Sequence, residues 1–311
     1  MKIIRNLKSF ASILMAAALV LSAGCAQDNS PKAIEAEIWT MPSTVKVLRD
    51  EDYSENYTDT PVLTFETAKN EYENAQLFIT PKTDVHSYTV SVSDLTDGAG
   101  NTIAKENIEV YHQKYIEITS LTSKTSGRPL GYYPDALLPM QTAETAGENN
   151  VKAGANQGVW LTLYTPEDTE AGTYTGTVTL TADETVFNVP VTVKVWDFAI
   201  PEKSNIRTTF HIFPEYLMGG ELNNTPEMYK KYVDYLLDYR ISTTIMVYPY
   251  GVSEDDWVKQ IKEYAADERC TSYKLGNDVS FTEERQVRLL IENSTPELNL
   301  LEKAFFYPYD E

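Results

Sequence analysis

Between Ile38 and Pro201 apolar and polar residues alternate in short runs. In Val186–Trp196 the residues Val189, Val191, Val193 and Val195 fall on one face, the period of two of a half-buried strand. The run Thr173–Thr181 alternates likewise through Tyr174, Val178 and Leu180, and Ala182-Asp183-Glu184 joins the two as a hairpin turn. Further strands are predicted at Thr44–Leu48, Val62–Glu66, Glu73–Thr80, Ser87–Ser93, Ile108–Glu117 and Gly158–Tyr164, punctuated by Gly, Asn, Asp and Pro. So many short strands without helical periodicity between them make a sandwich of antiparallel sheets. Pro190 interrupts the strongest strand, which predicts an edge position or a bulge.

The period changes after Pro201. Thr208–Phe213 reads as a strand, and Thr225-Pro226-Glu227 then opens a helix: Thr caps free N–H groups, Pro fits the first turn, and Glu complements the helix dipole. Met228, Tyr232, Tyr235, Leu236 and Tyr239 follow at helical spacing. A second strand is predicted at Ser242–Tyr248, then a helix opened by Ser253 with Trp257, Ile261 and Tyr264 on one face. Cys270–Phe281 reads as a short strand or an excursion. Thr282 caps a helix running through Ile291, and Thr295-Pro296-Glu297 repeats the start signal before a short last helix. Lys303-Ala-Phe-Phe-Tyr-Pro-Tyr-Asp310-Glu311 ends the chain as an aromatic strand. Strand–helix alternation implies a parallel sheet, either a barrel or an open α/β fold. The residues after Pro201 are far fewer than the roughly 250 of a typical eight-stranded barrel. A small open domain or a chain cut short fits that count, and an apolar strand at the very end favours the cut.

The N-terminus reads as a targeting segment. Lys2, Arg5 and Lys8 precede an apolar run from Phe10 to Leu21 that is short for a membrane span. Leu21-Ser22-Ala23-Gly24-Cys25 resembles a bacterial lipobox, with Ser22 standing where Leu is commoner; the alternative is an ordinary signal peptide cleaved near Ala23. Lipidation at Cys25 leaves only Cys270, so an exported chain has no intrachain disulfide to rely on. Two cysteines also exclude cysteine-based zinc sites.

Lys and Arg number 26 against 46 Asp and Glu, a net charge of −20, which argues against a nucleic-acid surface. The 21 Tyr and 4 Trp supply flat amphipathic faces suited to a neutral partner such as a sugar. His86, His112 and His211 are isolated in sequence, so no metal site is expected, and no nucleotide-binding glycine motif occurs. His211, at the end of the first strand after Pro201, can line a pocket or sit in the core or on the surface. Tyr248 and Tyr250 end the next strand and can stack on a sugar or simply pack. Tyr133-Pro134-Asp135 reads as a structured turn at the domain interface. Asp310-Glu311 is a carboxylate pair at a strand end, where parallel α/β folds collect their chemistry, although a solvated chain end would carry such a pair equally well.

The ending Lys303–Glu311 resembles the catalytic strand of glycoside hydrolase family 123, the β-N-acetylgalactosaminidase-like family. Asn70-Glu-Tyr-Glu-Asn-Ala-Gln76, Tyr133-Pro-Asp-Ala-Leu-Leu-Pro139, Ala171-Gly-Thr-Tyr-Thr-Gly176 and Val195-Trp-Asp-Phe198 are similar to that family's N-terminal sandwich and its exit. The resemblance implies a multidomain β plus α/β fold. Residues 1–24 are then a lipoprotein signal peptide, 25–36 a tether and 37–201 an antiparallel β-sandwich. Residues 202–311 are the first half of a (β/α)8 barrel, truncated. It implies Glu311 as general acid/base and Asp310 as the residue that orients the substrate's 2-acetamido group; His211 and Tyr248 are substrate-binding candidates from their places at strand ends alone. No cofactor or metal is implied. The partners expected are a glycan substrate and, through the lipid alone, a bacterial membrane or cell surface outside the cytoplasm. The expected activity is removal of terminal β-linked N-acetylgalactosamine, the truncated chain alone being inactive. The alternatives are a non-catalytic glycan-binding lipoprotein and a structural surface protein. Cys25→Ser should release the protein from the membrane fraction, since the acylated cysteine supplies the anchor; an unchanged membrane fraction would contradict the lipobox.

Overall fold

The computed structural model describes residues 33–120, 129–214, 224–276 and 278–307. The described residues of Met1–Glu66, Tyr72–Tyr164 and Gly172–Lys194 form one compact unit, and those of Thr67–Glu71, Thr165–Ala171 and Val195–Glu311 a second.

The sandwich strands are β1 (Ala36–Pro42), β2 (Leu63–Lys69), β3 (Glu71–Pro81), β4 (Tyr88–Val92), β5 (Leu95–Thr96), β6 (Thr102–Ile103), β7 (Ile108–Ile118), β8 (Gly131–Pro139), β9 (Gln157–Thr165), β10 (Gly172–Ala182) and β11 (Thr185–Ala199), with α1 (Met140–Ala146) following β8. One sheet has the order β1-β3-β9-β7-β8 and the other β2-β11-β10-β5-β6, with β4 also paired to β10. The alternation dictates the inner faces: Val189, Val191, Val193 and Val195 of β11 and Tyr174, Val178 and Leu180 of β10 are all buried. Each such side chain contributes about 1.5–3 kcal/mol by leaving water. Asp183 takes the left-handed conformation (φ 49°) in the β10–β11 turn, and its carboxylate accepts the His86 and Ser87 N–H groups.

Three sandwich expectations need correction. Thr44–Leu48 is a loop; the strand is β1, in register with β3 as Trp39↔Phe78. Gln76 Nε2 donates to the carbonyls of Pro42 and Val45, at 2.7 and 2.9 Å, so a side chain holds the backbone there instead of a ladder. Val47, fully buried, plugs the outer face of this sheet together with Trp39 and Phe78, whose rings stack at 4.5 Å. Pro190 is not on an edge strand, because β11 lies between β2 and β10. Tyr133-Pro134-Asp135 lies within β8, an edge strand, where proline is tolerated.

In the second unit the three helix starts stand as expected. They are α2 (Pro226–Asp238), α3 (Glu254–Ala266) and α4 (Glu283–Asn293). Thr225, Ser253 and Thr282 each accept the N–H three residues on, at 3.1–3.2 Å. The buried face of α2 is Tyr229, Val233 and Leu237, one residue along from the expected row, and Tyr235 is 58% exposed. Tyr229 turns inward because its hydroxyl donates to the Ile245 carbonyl at 2.6 Å. Trp257, Ile261 and Tyr264 are buried as expected. Thr295 accepts the Leu298 N–H but starts no helix, since the chain must bury Leu300 and reach the next strand within a few residues.

Cys270–Phe281 contains a strand, β12 (Tyr273–Leu275), which pairs in parallel with β13 (Ala304–Phe306). The segments 208–213 and 242–248 form no ladder, only a parallel bridge between Phe210 and Thr243. Hydroxyl side chains take the bonds a ladder would use: Ser242 N–H donates to Thr208 Oγ1, Thr208 N–H to Thr271 Oγ1, and Thr271 N–H to Ser242 Oγ. Lys274 N–H donates to the Thr244 carbonyl at 3.0 Å. Of the half-barrel expected here, the described residues show strand–helix alternation and parallel pairing, not a continuous barrel sheet.

Gly158 packs closely against Gln113 and Phe78. A Cβ there would lie 2.2 Å from Gln113 Oε1 and 2.8 Å from Phe78 Cε1. Gly158→Ala should therefore cost about 1–3 kcal/mol by overpacking and lower the melting temperature by several degrees; an unchanged melt would contradict this packing.

Candidate active site

Parallel strands present their carboxyl ends to chemistry. In the second unit β12 and β13 end at Leu275 and Phe306, and the bridged segments 208–213 and 242–248 carry the other predicted strand-end residues. His211 is exposed and stacks on Phe213, ring centroids 4.1 Å apart and planes 21° from parallel. Tyr248 is half-buried; its hydroxyl donates to the Asn224 carbonyl at 3.2 Å, and its ring meets Tyr229 and Tyr250 edge-on. Tyr248 and the exposed Tyr250 form part of a cleft of about 470 Å³. Glu227 and Lys230 of α2 and Asp256, Lys259 and Gln260 of α3 also line it. The structure thus brings Tyr248 to a polar cleft of useful size and leaves His211 outside its lining. Asp310 and Glu311, like Cys25, lie outside the described residues.

Sequence reasoning passed over the end of β12. There Lys274 and Asp278 pair at 2.9 Å with side chains only 12% and 26% exposed. Gln286, buried on α4, accepts the Gly276 N–H and donates to the carbonyls of Gly276 and Phe281, at 3.1, 2.7 and 3.0 Å. One glutamine thereby holds both sides of the turn that carries the ion pair. A lone Lys-x-x-x-Asp spacing is too common to have flagged it; the alternation of Tyr273 and Leu275 around Lys274 was the usable signal. Burial pushes the Cys270 thiol up to about 11, so it is a neutral core residue at physiological pH rather than a nucleophile. Among the described residues no group of three or more His, Cys, Asp or Glu is placed to hold a metal ion.

Residues 46–182, within the sandwich, match the family model of the glycoside hydrolase 123 N-terminal domain. That match supports the assignment to glycoside hydrolase family 123. A family 123 glycoside hydrolase from Clostridium perfringens, solved for the details of glycolipid glycan hydrolysis, aligns with TM-score 0.50 and 17% identity over 78% of this chain. The alignment covers 38% of that enzyme, so this chain spans well under half of its length. Identity at this level speaks for the fold alone. AvmM, which catalyses macrocyclization in alchivemycin A biosynthesis, aligns at TM-score 0.28 and 8% identity, over 56% of this chain and 92% of its own. The Salmonella SafD adhesin aligns at 0.26 and 12%, over 54% and 100%; both are too distant to inform function. No curated protein matches the chain.

Proposed function

We propose that the chain carries the sandwich and the entry into the catalytic domain of a glycosidase that removes terminal β-linked N-acetylgalactosamine with net retention. The observation that supports this reading most is the parallel pairing of β13 with β12. The chain leaves β13 in the direction of the strand carboxyl ends, and the Asp310-Glu311 pair follows Phe306 within a few residues. On this reading Glu311 protonates the leaving oxygen and Asp310 orients and polarises the 2-acetamido group. The carbonyl oxygen of that group attacks the anomeric carbon, the glycosidic bond breaks, and the departing oxygen takes the Glu311 proton. Water then opens the oxazolinium ion from the same face while Glu311 accepts its proton, which retains the configuration. One carboxyl kept protonated beside one kept ionised is a division that burial and neighbouring charge routinely produce. Tyr248 and His211 remain the substrate-binding candidates, Tyr248 being the better placed because it borders the cleft.

We further propose that Cys25 anchors the protein by lipid outside the cytoplasm, on a bacterial membrane or cell surface. The support is the basic, apolar and small-residue succession before Cys25. Among the described residues no helix is long and apolar enough to cross a membrane.

The test uses the 311-residue chain and a version lengthened by the remaining strand–helix units of a family barrel. The lengthened version should release nitrophenol from a nitrophenyl N-acetyl-β-galactosaminide, and the 311 residues alone should not. Glu311→Gln should lose about 10²–10⁴-fold on a glycan with a poor leaving group, and markedly less on the nitrophenyl substrate. Asp310→Asn should impair both equally. Unchanged turnover in both variants would overturn the assignment.

A further inference from the structure

The cleft of about 470 Å³ bordered by α2 and α3 is backed by a line of three tyrosines that runs from core to surface. Tyr229 is 1% exposed, and its hydroxyl is tied to the Ile245 carbonyl. Tyr248, half-buried, meets it edge-on with centroids 5.9 Å apart, and its own hydroxyl is tied to the Asn224 carbonyl. Tyr250, 53% exposed, meets Tyr248 at 5.5 Å with the ring planes 82° apart. Tyr248 thus supports and Tyr250 presents. An aromatic ring braced from behind in this way loses little freedom when a ligand settles on it. Gly251, in the left-handed conformation (φ 71°), turns the chain directly after it.

The rest of the lining selects the ligand. Its charges are largely matched: Lys230 pairs with Asp234 at 2.8 Å, Glu227 with Lys231 at 3.1 Å, and Ser253 Oγ donates to Asp256 at 2.7 Å. An ion would have to compete with those partners. No Leu, Ile, Met, Phe or Trp lines the cleft, so it offers a lipid little. Lys259 and Gln260 border it with donor and acceptor groups. An uncharged ligand with a flat C–H face for a ring and hydroxyls for such groups is a pyranose, and the volume lies in the range of small-ligand sites, roughly 300–1,000 Å³.

The place of the cleft says which sugar. The Lys274 N–H bond to the Thr244 carbonyl sets the segment that ends at Tyr248 beside β12, and β12 pairs with β13. Two strand spacings, about 10 Å, therefore separate that segment from β13, the strand that leads to Asp310 and Glu311. A general acid works within about 3 Å of the oxygen it protonates. A sugar in this cleft is not the one released.

We propose that the cleft holds the sugar next to the released N-acetylgalactosamine, with the Tyr250 ring as its platform. Tyr250 then favours a glycan over a simple glycoside. The proposal rests on reading the chain as a glycosidase and uses Asp310 and Glu311 only for their place after β13.

The test uses the 311-residue chain and saturation-transfer NMR with methyl β-galactopyranoside, methyl β-glucopyranoside and methyl N-acetyl-β-glucosaminide. At least one should receive saturation. Tyr250→Ala should weaken its binding by about 3- to 10-fold, the worth of one aromatic contact, and lower the melting temperature by no more than about 2 °C. Tyr250→Phe, which keeps the ring, should bind like the parent. Tyr235, 58% exposed on α2 and outside the cleft lining, is the control, and Tyr235→Ala should leave binding unchanged. No transfer to any probe, equal binding by Tyr250→Ala, or equal weakening by Tyr235→Ala would each overturn the proposal. Binding that depends on Tyr250, in a chain whose lengthened version releases no N-acetylgalactosamine, would contradict the catalytic reading and leave the sugar site standing. Release without such binding would do the reverse.

Discussion

Every backbone N–H and C=O taken out of water must find a partner, and this chain meets that demand at its strand ends with buried amides and hydroxyls. Gln76 holds the carbonyls after β1, Asn156 those of the neighbouring loop, and Gln286 the turn after β12. Ser242, Thr208 and Thr271 stand in for ladder bonds between segments of the second unit. Leaving any one of these groups unpaired costs about 1–3 kcal/mol, a large share of the 5–15 kcal/mol by which a domain is stable. Cys270 is a free, buried cysteine, and the described core rests on apolar burial and these polar ties.

The same constraint explains what was legible in the sequence. Period-two alternation located β10 and β11 because nothing there competes with the ladder. Thr225, Ser253 and Thr282 announced their helices because a cap is a local event, decided within three residues. Thr44–Leu48, Thr208–Phe213 and Ser242–Tyr248 have strand composition, yet long-range side-chain bonds from Gln76, Thr271 and their neighbours replace the ladder. Such partners lie far away in sequence and leave no periodic mark. The face of α2 was misread by one position because tyrosines occupy both candidate rows; only the reach of Tyr229 to Ile245 decides between them.

The sites divide likewise. Tyr248 was legible as a strand-end aromatic and borders a cleft, whereas His211, read by the same rule, stacks on Phe213 at the surface. The Lys274–Asp278 pair is not marked by short-range pattern, since it depends on how the chain turns after β12. The family resemblance came from motif order along the sandwich, and the match to residues 46–182 lies where most of those motifs stand.

The central functional claim is hydrolysis with retention, assisted by the substrate's own acetamido group. Proton NMR of the first sugar released from an N-acetyl-β-galactosaminide by the lengthened chain tests it most directly, read before mutarotation mixes the anomers. The account predicts that the β-anomer appears first. Initial appearance of the α-anomer would contradict it, because inversion leaves no place for an oxazolinium intermediate.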